Sequence, residues 1–163
     1  MGRRSSALAL ALSILVAAVA AGGCSNSGAT CGMCGRHECA NMVFAVETED
    51  GARHRTCCAR CGARLIAAER LVVRSVSVHD FETAEVLDAV RAVYVEGSDV
   101  HPCRGIASDP PRDDRGCCLL PKYDRCEPSV LAFSSRDAAA RFAAAHGGTL
   151  TTWDALAASS RGS

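Results

Sequence analysis

Lysine is all but missing from this chain: Lys122 is the only one, and arginine supplies nearly all the positive charge, a skew of the kind genome composition produces. Charge of one sign is also missing in excess, since Lys plus Arg and Asp plus Glu are 18 each. That balance gives no global attraction to nucleic acid. Aromatic residues are scarce, with one Trp, two Tyr and four Phe among 163 residues. A core so poor in large rings needs cross-links or metal to hold it. No Ser-His-Asp arrangement has local support, no Gly-rich phosphate loop is present, and the acidic residues are scattered, so nothing points to hydrolytic catalysis.

Cysteine is what the chain has instead, eleven in all. The start of the chain sets their surroundings. Arg3 and Arg4 precede an apolar run from Ala7 to Ala21 broken only by Ser13, and Ala21-Gly22-Gly23 places small residues before Cys24. This pattern predicts a signal peptide over 1–23 with Cys24 as the lipidated residue, hence an exported lipoprotein anchored on the periplasmic or cell-surface side of a membrane. The apolar run falls short of the ~20 residues that span a bilayer. Residues 24–30 then read as a polar tether. Ten cysteines follow Cys24, and export makes disulfides available to them. Their spacing argues for more than disulfides, because Cys-x-x-Cys is the bite of a metal knuckle or a redox pair.

Two such units flank a predicted hairpin. Cys31-Gly32-Met33-Cys34-Gly35 comes first; 42–47 reads as a strand, Glu49-Asp50-Gly51 as a turn, and 53–56 as the returning strand. Cys57-Cys58-Ala59-Arg60-Cys61-Gly62 then opens a helix over 59–70, with Leu65, Ile66 and Ala68 towards one side. Knuckle, hairpin and helix in this order describe a treble-clef-like module. At i and i+3 two thiols share a helix face, and the positive end of the helix favours thiolate. Cys31, Cys34, Cys58 and Cys61 are therefore the expected metal ligands, for zinc or copper(I), which both accept soft sulfur. Cys39 and Cys57 are left as substitutes, a disulfide with each other, or reactive thiols. Cys57 is given the lesser role because adjacent cysteines do not easily face one ion. His37 and His54 flank the site as outer donors or solvated residues, and Met33 is either packing or a soft ligand.

The rest of the chain reads as α+β. Strands are expected over 71–78, 86–89, 92–96 and 129–133. A helix capped by Ser134 or Ser135 follows, with Asp137 in its first turn, a stripe of Ala138, Phe142 and Ala145, and a stop at Gly147-Gly148. His146 is a charge partner for that helix end. The stretch 149–153 is a last strand, with Trp153 in the core. Strand-strand-helix-strand thus occurs twice, in a metal-binding module over 31–79 and a second module over 80–157, before a tail over 158–163. A Pro- and Cys-rich loop over 101–126 is inserted in the second copy. Its His101, Cys103, Cys117, Cys118 and Cys126 read as a second site or as disulfides.

The segment Ser75 to Ser98, which includes Asp80-Phe81-Glu82-Thr83-Ala84-Glu85-Val86-Leu87-Asp88-Ala89 and Ala92-Val93-Tyr94-Val95-Glu96-Gly97-Ser98, resembles the middle of the NosL family. Val130-Leu131-Ala132-Phe133, Asp137-Ala138-Ala139 and Phe142 to Gly148 are similar to its C-terminal end, and Cys31-Gly32-Met33 to its opening Cys-Gly-Met motif. These are exported accessory lipoproteins of nitrous oxide reductase. The resemblance implies two strand-strand-helix-strand units and copper(I) binding for delivery to an acceptor metalloprotein. The functional expectation is a NosL-like metal-binding protein acting as metallochaperone or accessory factor. A disulfide- or zinc-stabilised structural lipoprotein is the alternative. A thiol enzyme of organomercurial-lyase or oxidoreductase type is a further one, resting on fold or on Cys-x-x-Cys alone.

Overall fold

A computed structural model of the chain describes residues 26–102, 114–115 and 126–161, the first three as backbone alone. Alternation builds the first sheet. In β3 (Phe44–Thr48), Phe44, Val46 and Thr48 are buried and the residues between them half-buried. The Glu49-Asp50-Gly51 turn closes with Gly51 N–H on Thr48 O at 2.9 Å and Gly51 at φ 84°, a left-handed conformation that glycine adopts without strain. β4 (Arg53–Thr56) returns in antiparallel register, Phe44 opposite Thr56. α1 (Ala59–Glu69) follows and β5 (Val73–His79) pairs with the other edge of β3. β6 (Val86–Asp88) completes the order β4-β3-β5-β6.

The same sequence of elements recurs. β7 (Val93–Glu96), β8 (Val130–Phe133), α2 (Arg136–His146) and β9 (Thr149–Thr151) form a sheet of order β8-β7-β9, matching β4-β3-β5 around α1. Each unit puts its first strand in the middle, with the hairpin partner on one side and the post-helix strand on the other. The fold is α+β, as expected. Ser135 caps α2 by accepting from Ala138 N–H at 3.2 Å, and Asp137 occupies its first turn. The buried stripe is Ala138, Ala139 and Phe142, whereas Ala145 is exposed.

Three features differ from the sequence expectations. Asn26–Thr30, expected as part of a tether, forms β1 and pairs with β2 (His37–Cys39), so its backbone groups find partners where its side chains gave no strand signal. Trp153 ends no strand but begins α3 (Trp153–Ser160), which takes up part of the expected tail; Thr152 caps it by accepting from Ala155 N–H at 3.4 Å. β6 lies beyond the module boundary expected at 79, yet it belongs to the first sheet through the Val78–Leu87 register.

The two units share their cores. Phe44, Val46, Ala63 and Val78 pack with Tyr94, Ala132, Trp153 and Leu156 on one side. The rings of Phe44 and Trp153 stack with centroids 4.8 Å apart. Cys31, Cys34, Cys57, Cys58 and Cys61 pack with Val95, Cys126, Leu131, Phe133 and Phe142 on the other. The cysteine units therefore lie against the second ββαβ unit.

Candidate metal centre

The first pair is held by a tight turn between β1 and β2. Cys31 N–H donates to Arg36 O at 2.7 Å and Gly35 N–H to Cys31 O at 2.8 Å, with Gly35 at φ 72°. A chain folded back this sharply brings the two ends of Cys-x-x-Cys together. Both Cys31 and Cys34 are buried and free.

The second unit is placed by the start of α1. Cys58 is its N-cap residue, in extended backbone, and its side chain caps nothing. Thr56 Oγ1 donates to Cys58 O at 3.0 Å, as does Gly62 N–H, which opens the helical ladder. Cys61 sits in the first turn, where the helix end favours negative charge. Gly62 is required for the approach: a Cβ there would lie 2.2 Å from Phe44 Cδ1. The close contact of α1 with β3 fixes the depth at which Cys58 and Cys61 stand.

The sixth thiol comes from far along the chain. Arg60, 5% exposed, pairs with Glu96 at the end of β7 and donates from Nε to Pro128 O at 2.8 Å. One side chain beside Cys61 thus ties α1 to the segment that carries Cys126. Gly97 N–H to Ser129 O, at 2.8 Å, closes the same segment against β7.

Six buried sulfurs, none of them in a disulfide, meet at this junction. Cys34–Cys57 is 3.5 Å, Cys57–Cys126 3.6 Å and Cys61–Cys126 3.7 Å; Cys57–Cys58, Cys57–Cys61 and Cys34–Cys126 are each 3.8 Å. Two groups of four have all sulfurs within 4.8 Å of one another: Cys31, Cys34, Cys57 and Cys61, and Cys57, Cys58, Cys61 and Cys126. A metal–sulfur bond of about 2.3 Å in a tetrahedron sets its sulfurs about 3.8 Å apart, so this donor set and spacing fit a soft ion such as zinc.

Crowding makes the thiols ionise unequally. Cys34 opposes ionisation of Cys31, but hydrogen bonds from Cys57 and Cys61 outweigh it and bring Cys31 down to about 6. Cys126 opposes ionisation of Cys34, yet Cys31, Cys57 and Cys61 carry it down to about 3. Cys126, Cys57 and Cys61 hold Cys58 well below the ordinary thiol range. Cys61, facing Cys126, Cys31 and Cys34, is pushed up as the group that keeps its proton. Thiolate is the form that binds metal.

The chain matches no family model and no curated protein by sequence. Its fold is similar to that of NosL. The crystal structure of the copper chaperone NosL from Shewanella denitrificans superposes with a TM-score of 0.53 at 18% identity, over 79% of this chain and 90% of that one.

On this NosL-like fold, the residues singled out from sequence fall into three sets. Cys31, Cys34, Cys58 and Cys61 all reach the junction. Cys57, given a lesser role, stands in both groups of four, and Cys126, assigned to the loop, is a thiol of the second group and not in a disulfide. Cys57 faces inward with Cys58 because the chain turns from β4 into α1 between them, so their sulfurs do not take opposite sides as on a continuing strand. Cys39 is disulfide-bonded while Cys57 is in no disulfide, so these two are not paired with each other. His101 sits against Glu127 at 2.9 Å, and His146 against Asp99 at 3.2 Å. His37 is exposed, His54 half-buried, and Met33 packs beside the cysteine core. Cys24, Cys103, Cys117 and Cys118 lie outside the described residues. The signal for Cys57 was in the sequence, as a third cysteine within one unit; Cys126 was legible as a candidate ligand of a second site, but its place beside Cys57 and Cys61 was not, since that is a long-range contact.

Proposed function

We propose that this chain is an exported accessory protein that binds a soft metal, copper(I) or zinc, through buried thiolates and supplies it to an acceptor metalloprotein. The observation that carries the reading is the convergence of six buried thiols in an apolar core, five of them linked by contacts of 3.5–3.8 Å and Cys31 within 4.8 Å of Cys34, Cys57 and Cys61. Soft sulfur donors in that arrangement select copper(I) and zinc over magnesium or calcium. The NosL-like fold supports a carrier role, because the structure it superposes on is that of a copper chaperone. The Arg3-Arg4 start and the apolar run to Ala21 support export, and Cys24 a lipid anchor. Among the described residues no helix is long and apolar enough to cross a membrane.

Burial favours a second reading. Cys57 and Cys61 are 0% exposed, and a closed, fully coordinated site is the form a structural zinc takes. Loading the reduced protein with copper(I) and challenging it with a competing chelator separates the two. A carrier accepts copper(I) and yields it to the chelator within minutes. Zinc that copper(I) does not displace leaves the structural reading in place.

A further inference from the structure

Six sulfurs are more than one tetrahedral ion uses. The two groups of four share two members, Cys57 and Cys61, and these are 3.8 Å apart, the edge length of a thiolate tetrahedron built on a bond of about 2.3 Å. Cys31 and Cys34 belong to the first group alone and Cys58 and Cys126 to the second alone. Cys34 and Cys126 are themselves 3.8 Å apart, so the two groups are in contact beyond the shared edge.

Building on the soft-metal reading, we propose that the centre takes two divalent ions in one thiolate-bridged cluster, with Cys57 and Cys61 as the bridging sulfurs. Cys31 and Cys34 complete one ion's shell, and Cys58 and Cys126 the other's.

Charge permits a second ion at no added cost. A single divalent ion on four thiolates carries two negative charges and leaves two protonated thiols pressed against it. A second divalent ion with those two thiolates adds as much positive as negative charge, so the buried cluster still carries only two. Every thiol proton leaves as metal enters, and no redox change is involved. Burial is the reason the count matters, since uncompensated charge in an apolar core is costly. Monovalent ions in the same number would leave more negative charge on the six sulfurs, so the proposal is made for divalent ones. Two residues stand near enough to share the remaining charge's cost: Cys58 and Cys61 occupy the positive end of α1.

The test is anaerobic titration of the reduced full chain with NMR-active cadmium. Two ions bound per chain and two cadmium resonances are expected, with the β-protons of Cys57 and Cys61 correlated to both. Cys126→Ser should keep the first ion, lose the second and remain folded by circular dichroism. Saturation at one ion, or two resonances with no cysteine in common, overturns the bridge and leaves the metal reading standing. No retained cadmium in folded protein removes both.

Discussion

At the scale of single residues, the centre depends most on the side chain that sequence reading ranked low. Cys57 is within 3.8 Å of Cys34, Cys58, Cys61 and Cys126 and, with Cys61, belongs to both groups of four. Cys57→Ala is expected to lose most of the bound metal, and Cys31→Ala, at the edge of the set, a smaller part, measured by elemental analysis of folded protein. Asp80 is the second residue on which much rests. Its Oδ1 accepts from Glu82 N–H at 2.9 Å and Thr83 N–H at 3.0 Å, and its Oδ2 from Ser134 N–H at 2.7 Å. Burial works against its charge, but these donors outweigh it and hold the carboxyl below its usual range. A depressed carboxylate stabilises the fold above its unfolded-state pKa, and that contribution is lost as pH falls through the folded value. Asp80→Asn turns an amide N–H towards the Ser134 donor, at a cost of about 2–3 kcal/mol in denaturant unfolding at neutral pH. The cost should shrink as the comparison is made at acid pH, where the wild-type carboxyl is also protonated.

Among the elements, α1 governs the site. Gly62 lets it lie against the Phe44 ring, and a Cβ at 2.2 Å from that ring cannot be accommodated without moving the helix or the ring, which Trp153 backs. Gly62→Ala is expected to cost about 1–3 kcal/mol in thermal or denaturant unfolding and to weaken metal binding by shifting Cys58 and Cys61. The hairpin before α1, the cap of α2 and both ββαβ units were legible, because alternation in 44–48, Gly51 and Ser135 are local signals. α3 was missed although Thr152 and Asp154 form a helix start, because Thr149-Leu150-Thr151 drew Trp153 into a strand. β1 was missed because its strand is made by backbone pairing with β2 alone.

Across the whole molecule, the centre is where the two repeats meet. Cysteines from the knuckle and α1 of the first unit join Cys126, which approaches from the second, and Arg60 spans the join through Glu96 and Pro128. The first unit's contribution was readable as Cys-x-x-Cys spacing. The convergence was not, because it depends on contacts between residues more than sixty positions apart. Arg60→Met keeps much of the side-chain volume and removes both ties. It is expected to leave the hairpin and α1 formed, to lower stability by about 2–3 kcal/mol, and to make Cys126 the first of the six thiols to react with an alkylating reagent.

The claim that the six cysteines form a soft-metal centre is tested most directly by metal analysis of protein purified anaerobically, paired with cysteine-resolved alkylation and mass spectrometry. Bound zinc or copper is expected, with Cys31, Cys34, Cys57, Cys58, Cys61 and Cys126 protected until a chelator or denaturant is added and then modified as thiols. Folded protein without metal, in which these six are joined as disulfides, would contradict it.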